Sequence, residues 1–459
     1  CGDLRALEAV GRWAARHGAS VLATLPLLPA FLDRPYEPSP YRPVSHRFWN
    51  EVYLDPTETP EFRRSAFLQR LVRTGRFRRR IASLERRDYV DFRSVARIKR
   101  RIVEKMIEEF PRAPGPRQRA FHRFVERTPG LAEYARHRAS FEPEPAAGEV
   151  YHQFVQWLFD EQLRGVAARL RRRGVVLGLD LPVGTHPRGF DARQDAALYA
   201  RSVSIGSPPD PGVPRGQDWS LAPLDPERLR RVGYRPITDA LRHEFSVAGL
   251  VRIDHILGFH RLFWIPAGRP PRDGAYVRSA TDELYQVVLA EATRAHAMVV
   301  GEDLGTVPPE VRPELRRRGI LAMYIAELEW DGPGPARPIP AACVASLNTH
   351  DHLPFAGYWA ERARVDRPAS VGLGFPATST PMGDAFRTAT FRLARSPARL
   401  LLVNLEDLGG EERPQNLPGR TGQNFSRRFR LTLATLRRDR RAAKLLSTID
   451  ALRRTRYVR

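Results

Sequence analysis

Four acidic residues are the strongest candidates for chemistry, because each follows a run of aliphatic residues. They are Asp180, Asp254, Glu302 and Asp351. A buried run that ends in an acid is typical of a parallel strand, and parallel strands bring their carboxyl ends to one edge of the sheet. Any one of these acids could instead be a salt-bridged loop carboxylate. Four at equivalent places favour a shared site.

Carboxylates gathered in this way suit the cleavage of a glycosidic bond. Retaining cleavage requires a nucleophile and a general acid/base about 5 Å apart. The acid must hold its proton near neutral pH, which burial and neighbouring carboxylates favour. Arg252 lies two residues before Asp254 and so on the same face of a strand, while His350 directly precedes Asp351. Both acids therefore have a cationic or hydrogen-bonding neighbour.

Metal chemistry has less support in the sequence. The motif "THDH" at 349–352 holds two histidines and an acid, but neither an HExxH motif nor a cysteine cluster accompanies it. We therefore predict no metal and no cofactor. Cys343 is expected to pack within the strand that leads to Asp351 rather than to act as a nucleophile.

Short apolar runs alternate with helical patterns along most of the chain, and this alternation predicts the fold. Near-continuous apolar strands between helices indicate a parallel α/β fold. We predict a (β/α)8 barrel of the TIM type, in which the C-terminal strand ends form the active site. The sequence leaves the eighth strand unplaced. The apolar runs span 20–29, 174–184, 249–255, 297–305, 320–330, 342–351 and 399–410.

Two stretches interrupt the alternation. Residues 56–165 are mostly helical in pattern and basic, and we predict an inserted helical subdomain between the start of the barrel at 1–55 and its remainder at 166–459. Residues 185–235 contain the Gly- and Pro-dense "GSPPDPGVPRGQDW" and are predicted to form a loop-rich insertion. A loop of that length in a compact domain is usually functional.

Composition describes a globular protein with an unusual charge. The chain has 459 residues, of which 42% are hydrophobic, and no apolar run approaches the roughly 18 residues that span a bilayer. The net charge is +23, but all except three of the 75 basic residues are arginine, as a GC-rich genome would produce in any protein. We therefore predict weak, salt-sensitive adhesion to polyanions, without specific nucleic-acid or membrane binding.

Cysteine usage and the chain start give two further expectations. Two cysteines allow one disulfide at most, which suits a reducing cytoplasm. The chain starts with Cys1 rather than Met, and we expect a segment upstream. The oligomeric state is left open.

Motifs in one order along nearly the whole chain carry a resemblance to a known family. They are "PSPYRPVSHRFWNEVYLD", "LDLPVGTHPRGFD", "SIGSPPDP…GQDW", "VRIDHILGFHRLFWIP", "VVGEDLGTVPPEVR", "ASLNTHDHLPFAGYW" and "NLEDLGGEERPQNLPG". The chain resembles the 4-alpha-glucanotransferases (amylomaltases or disproportionating enzymes) of glycoside hydrolase family 77. The resemblance implies transfer of α-1,4-linked glucan segments from a donor maltodextrin to the 4-OH of an acceptor glucan or glucose, through a glucosyl-Asp intermediate.

The resemblance also implies a role for each site residue. Asp254 corresponds to the nucleophile, Glu302 to the general acid/base and Asp351 to the stabiliser of the transition state. Arg252 would hold Asp254 ionised. The implied substrate-binding residues are Tyr41, Asp180, Gln217, Trp219, Arg252, His255, His350 and Asn416.

Within that set the implied contacts differ. His255 and His350 would bind sugar hydroxyls, and Tyr41 would be a stacking platform in the subsite that Asp180 lines. Gln217 and Trp219 would belong to a loop that covers the acceptor side. Two alternatives stay open: Trp219 could only anchor the loop, and Tyr41 could be a turn residue.

The chain departs from the family pattern at two places. His352 follows "THD" where many relatives carry a small or polar residue or a methionine. Residues 420–425 read "RTGQNF" where the family more often has Thr directly and a Trp nearby, and Phe425 is expected to replace that Trp. The departures concern the distal loop with Asn416 and leave the three catalytic acids untouched.

Two other functions remain as alternatives. One is an α-glucan hydrolase on the same scaffold. The other is a basic protein that binds glucan or polyanions without catalysis, although the intact set of three acids argues against it.

Overall fold

A computed structural model describes residues 2–32, 34–141, 148–210, 212–330, 336–364, 375–418 and 423–455. The strands are β1 (Val21–Ala23), β2 (Phe31–Leu32), β3 (Tyr36–Glu37), β4 (Val176–Leu181), β5 (Val203–Ser207), β6 (Gln217–Leu221), β7 (Ala248–Ile253), β8 (Arg261–Pro266), β9 (Ala275–Arg278), β10 (Met298–Gly301), β11 (Ala322–Ile325), β12 (Cys343–Ser346) and β13 (Leu400–Leu401).

The helices are α1 (Leu4–Ala15), α2 (Pro60–Arg64), α3 (Ala66–Arg73), α4 (Gly75–Glu85), α5 (Phe92–Glu109), α6 (Gly115–Arg127), α7 (Leu131–Ala139), α8 (Gly148–Arg171), α9 (Phe190–Gln194), α10 (Pro226–Arg231), α11 (Arg235–Phe245), α12 (Thr281–Ala295), α13 (Val311–Arg317), α14 (Ala326–Trp330), α15 (Phe355–Arg364), α16 (Met382–Arg395), α17 (Leu405–Leu408), α18 (Leu433–Arg438) and α19 (Arg440–Arg454).

Parallel strands form the centre of the molecule. Their order is β1-β4-β7-β10 followed by β11-β12-β13, and a parallel bridge between Val300 and Leu321 connects the two groups. Each apolar run identified in the sequence contains one of these strands, so their prediction is confirmed. The strands of the described residues do not include an eighth parallel one.

The apolar runs form strands because they are covered on both faces. Every residue of β11 and β12 is buried, which explains why these segments are continuously apolar rather than alternating. Helices supply the cover: α1 and α8 pack together, α11 packs on both α12 and β7, and α16 packs on α19. Their buried side chains join those of the strands in one large hydrophobic cluster.

The basic stretch after residue 55 is helical, with α2 to α7 between Pro60 and Ala139. It shares the main core, because Leu68, Val103 and Phe121 belong to the same cluster as the barrel strands. The proposed boundary at 165/166 falls inside α8, which packs on β4. The helical stretch therefore packs onto the same core as the parallel strands.

The stretch 185–235 is more ordered than the sequence indicated. It contains β5 and β6, which join β8 and β9 in an antiparallel sheet of order β6-β5-β8-β9. The description of this stretch as loop-rich missed that sheet. Ile205 pairs with Trp264, and a pairing between segments so distant in sequence leaves no local signal.

No helix within the described ranges combines the length and the apolar composition needed to cross a membrane.

Candidate active site

The parallel sheet brings the predicted acids to one rim. Asp180 lies near the end of β4, Asp254 directly follows β7 and Glu302 directly follows β10. The backbone N–H of Asp254 donates to the Leu181 carbonyl at 3.0 Å, and the N–H of Glu302 donates to the Ile253 carbonyl at 3.0 Å. The parallel ladders therefore continue to the acids and fix them side by side.

Arg252 joins two of the acids. Its Nη1 atom donates to Asp180 Oδ1 at 2.7 Å and Oδ2 at 2.8 Å, and to Asp254 Oδ1 at 3.0 Å. Arg252 and Asp180 are direct neighbours in the pairing of β7 with β4. Burial opposes the charge of Arg252, but Asp180 and Asp254 keep its pKa well above the usual value. The guanidinium therefore remains a cation.

The cluster contains more carboxyl groups than cations. Burial raises the pKa of Asp254 to about 7; Arg252 lowers it, while Asp180, Glu302 and Asp351 raise it further. Burial also raises the pKa of Glu302, against the effects of Arg252 and two backbone N–H groups. Arg252 thus lowers the pKa of Asp254, as expected, but by less than burial raises it. Burial therefore favours the protonated form of both carboxyl groups.

Backbone groups hold Glu302 at both of its carboxyl oxygens. The N–H of His255 donates to Oε2 at 2.8 Å and the N–H of Leu304 donates to Oε1 at 2.8 Å. The residue is only 9% exposed. His255 itself has a left-handed backbone with φ of 47°. Burial lowers the pKa of its imidazole to about 4, so the ring is neutral at neutral pH.

Asp351 lies in the loop after β12, where a second loop contacts it. Asn416 Nδ2 donates to Asp351 Oδ1 at 2.6 Å, and His350 Nε2 lies 3.4 Å from the same oxygen. The Thr349 hydroxyl accepts the Asp351 N–H at 3.2 Å and lies 2.7 Å from His352 Nδ1. The departure at His352 thus supports the loop of Asp351 through Thr349.

Tyr41 links Asp180 to His350. Its hydroxyl donates to Asp180 Oδ2 at 2.7 Å, and its ring stacks on that of His350 with centroids 4.9 Å apart and planes 9° apart. Phe425 lies against Tyr41 with ring centroids 5.6 Å apart, where an aromatic replacement was expected. Tyr41 is therefore in contact with the acidic cluster. Residues 420–422 of the second departure lie outside the described residues.

Gln217 and Trp219 lie on the same face of β6. The Trp219 indole Nε1 donates to Gln217 Oε1 at 3.2 Å. The Trp219 ring meets the His255 ring edge-on, with centroids 5.1 Å apart. The antiparallel sheet therefore reaches the residue that follows Asp254.

Sequence reasoning missed the groups that hold the Asn416 loop in place. Glu411 and Arg427 are buried and form an ion pair at 2.7 Å. Arg427 also donates to the carbonyls of Arg413 and Pro414, and Glu411 accepts the Arg430 N–H at 2.7 Å. The motif "NLEDLGGEERPQNLPG" contains Glu411, and its adjacent acids were the available signal.

A second missed network supports the strand end before Asp351. Asn348 Nδ2 donates to Glu327 Oε1 at 3.1 Å and to Asp407 Oδ1 at 3.2 Å. Burial raises the pKa of Asp407 to about 7 and that of Glu327 well above its usual value. Across the described part of the chain, no group of His, Cys, Asp and Glu residues has the arrangement of a metal site.

Two buried acids with raised pKa values lie beside an arginine at the rim of parallel strands, an arrangement that suits acid–base catalysis. Known proteins specify the class further. The family model described as 4-alpha-glucanotransferase matches residues 1–149 and 137–433. The chain belongs to this family. It is an enzyme that transfers glucan segments from one α-glucan to another.

Individual relatives agree with the family match. A 4-alpha-glucanotransferase of Mycobacterium tuberculosis is 37% identical over 98% of this chain and 72% of its own length. One of Haemophilus influenzae is 29% identical over 92% of this chain and 71% of its own length.

Solved structures agree on the fold. The amylomaltase of Corynebacterium glutamicum superposes with a TM-score of 0.86 at 29% identity, over 98% of this chain and 72% of its own. The amylomaltase of Streptococcus agalactiae in complex with acarbose superposes with a TM-score of 0.81 at 16% identity, over 98% of this chain and 95% of its own. The predicted TIM-type barrel is confirmed.

Proposed function

We propose that the enzyme transfers α-1,4-linked segments of maltodextrins by retaining double displacement, with Asp254 as nucleophile and Glu302 as general acid/base. One observation carries the proposal: the two carboxyl groups follow neighbouring strands, and burial raises the pKa of both. A retaining mechanism needs one ionised and one protonated carboxyl group at such a place.

The first step breaks the donor linkage. Arg252 occupies Asp254 Oδ1, which leaves Oδ2 to attack the anomeric carbon of the donor. The bond from that carbon to the O4 atom of the departing glucan breaks as the new ester bond forms. Glu302 gives its proton to the departing O4, so the segment leaves as a neutral alcohol.

The second step reverses the first with another sugar. The acceptor 4-OH loses its proton to Glu302 while its oxygen attacks the anomeric carbon of the ester. Asp254 leaves as a carboxylate, and a new α-1,4 bond has formed with retained configuration. Asp351, which is 38% exposed at its side chain, would stabilise the positive charge that develops on the donor sugar in both transition states.

The remaining polar groups around the acids would bind the sugar next to the cleaved bond. Asp180 and Tyr41 form one hydrogen-bonded pair, while Asn416 and His350 contact Asp351. The neutral His255 imidazole can both accept and donate a hydrogen bond, which suits sugar hydroxyls.

Transfer is expected to exceed hydrolysis because both share the ester on Asp254 and differ only in what attacks it. Trp219, which lies against His255, and Gln217, which accepts a hydrogen bond from Trp219, would bind the acceptor sugar. An oriented acceptor has a large effective concentration relative to water. The proposal places the enzyme in the reducing cytoplasm, in accord with its few cysteines.

Two substitutions test the roles with maltotriose and with maltotriosyl fluoride. Asp254→Asn should abolish both reactions, since no ester can form. Glu302→Gln should lose the ladder of longer and shorter oligosaccharides from maltotriose, yet keep fluoride release in a single turnover, because fluoride leaves without a proton.

Asp239→Asn is the matched control, since among the described residues Asp239 on α11 makes a single, long ion contact, with Arg235 at 4.0 Å. It should behave as the native enzyme with both donors. Equal loss of fluoride release in Asp254→Asn and Glu302→Gln would contradict the assignment of roles.

A further inference from the structure

The backbone at His255 adopts a conformation that residues with a side chain rarely accept. Its φ of 47° is left-handed, and there the Cβ atom crowds the backbone of any residue except glycine. Asparagine and aspartate tolerate this region better than most residues. Non-glycine residues in such conformations concentrate at functional sites. His255 directly follows Asp254, so the conformation lies within the proposed catalytic centre.

The segment around this left-handed residue makes several hydrogen bonds to Glu302. The Glu302 N–H donates to the Ile253 carbonyl at 3.0 Å, as a continuation of the ladder between β7 and β10. The His255 N–H then donates to Glu302 Oε2 at 2.8 Å, and the Ile256 N–H returns to the Glu302 carbonyl at 3.1 Å. Three hydrogen bonds thus join the segment 253–256 to one residue.

The left-handed φ is what lets two successive N–H groups face the same residue. Rotation about the N–Cα bond of His255 moves everything that follows, including the Ile256 N–H. With a helical or extended φ at this position, the Ile256 N–H would turn away from the Glu302 carbonyl. The left-handed φ thus allows the His255 N–H to reach the carboxyl group of Glu302 while the Ile256 N–H reaches the backbone carbonyl of the same residue.

We propose that the left-handed backbone of His255 positions Glu302 for proton transfer, independently of any contact between the imidazole and substrate. His255 is then a positioning residue through its main chain. This inference rests on the proposed function, in which Glu302 is the general acid/base. The Trp219 ring packs edge-on against the imidazole, so the side chain has a separate neighbour and a separable role.

Four substitutions separate the backbone from the imidazole. His255→Gly, His255→Asn, His255→Ala and His255→Val all remove the ring but differ in their tolerance of a left-handed φ. Transfer from maltotriose should remain about five- to thirtyfold higher in the Gly and Asn variants than in the Val variant, with Ala between them. If the imidazole alone matters, the four variants lose activity equally, and the proposal fails.

A second sugar donor, maltotriosyl fluoride, shows whether the backbone of His255 acts through Glu302. Single-turnover fluoride release from maltotriosyl fluoride needs no acid, so the contrast between His255→Gly and His255→Val should shrink to less than about threefold there. A contrast of the same size with both donors would mean that the backbone supports the fold generally, and would overturn the proposal.

Two controls keep the outcomes distinct. Thermal unfolding of each variant, compared at a temperature well below its midpoint, ensures that the rates refer to folded protein. Glu302→Gln alone tests the underlying function: if it retains the native rate with maltotriose, Glu302 is not the acid. Such a result would contradict the proposed function without any measurement on the His255 variants.

Discussion

At the scale of single residues, the arginine shared by two acids sets the protonation of the site. Arg252 donates to Asp180 and Asp254 through one nitrogen, so it cannot fully neutralise either. Burial therefore dominates, and the pKa of Asp254 is raised to about 7. A nucleophile must be ionised, so kcat/KM should fall as the pH drops through the raised pKa of Asp254, at about 7.

The fall of kcat/KM at low pH forms the acidic limb of the pH profile. Substitutions that change the charge beside Asp254 in opposite ways should shift this limb in opposite directions. Asp180→Asn removes a negative neighbour and lowers the pKa of Asp254, so the limb should move about one pH unit lower or more. Arg252→Met removes the cation, so the limb should move higher by a similar amount. The measurement is the pH dependence of kcat/KM for maltotriose. Movement of both limbs in the same direction would contradict this account of the site.

At the scale of elements, the antiparallel sheet brings Trp219 next to the proposed catalytic centre. Trp219 reaches His255 because β6 pairs with β5, which in turn pairs with β8. The segments after β4 and after β7 thus form one structure beside Asp254. Trp219 is held by His255 and Gln217, so it is both anchored and close to the site.

Removal of the indole should change the fate of the intermediate more than its formation. Trp219→Ala should raise the ratio of hydrolysis to transfer severalfold, because a weakly bound acceptor competes poorly with water. Fluoride release in a single turnover should change little. The ratio is measured as new reducing ends against disproportionation products.

Tyr276→Ala supplies the matched control. Tyr276 is an exposed aromatic residue on β9, at the opposite edge of the same sheet, where it packs on Phe263. This variant should keep the native ratio. An equal change of the ratio in both variants would mean that the indole supports the sheet rather than an acceptor.

At the scale of the whole molecule, the net charge is +23, and the acidic residues are unevenly distributed among the basic ones. The sequence between Glu61 and Glu85 contains no acidic residue. On α3 and α4, Arg73, Arg76 and Arg79 are exposed, and no ion pair found among the described residues includes them. Unpaired arginines attract polyanions through their potential alone.

Charge reversal on these helices should weaken adhesion to an anionic matrix. The triple variant Arg73→Glu, Arg76→Glu and Arg79→Glu should elute from heparin at lower salt, since retention depends on the number of phosphate- or sulfate-binding cations. Its maltotriose transfer should equal that of the native enzyme. Arg164→Glu is a control, because Arg164 already pairs with Asp160 at 2.7 Å. Unchanged elution of the triple variant would place the adhesive surface elsewhere.

Much of this protein was determined by the sequence alone, because it depends on local pattern. Buried parallel strands must be continuously apolar, so the runs that contain β1, β4 and β7 were visible without a structure. An acid at the end of such a run can lie only at the rim. Asp180, Asp254, Glu302 and Asp351 were therefore identified from their positions, and the family motifs added the role of each and the neighbouring residues.

Only the tertiary structure decided the features that depend on distant partners. The sheet of β5, β6, β8 and β9 joins segments that have no local sign of pairing. The buried pair of Glu411 and Arg427 holds the Asn416 loop from outside the catalytic set. The raised pKa values of Asp254 and Glu302 and the left-handed backbone at His255 arise from burial and from hydrogen bonds across strands. These features cannot be predicted from local sequence patterns, because each depends on residues that folding brings together.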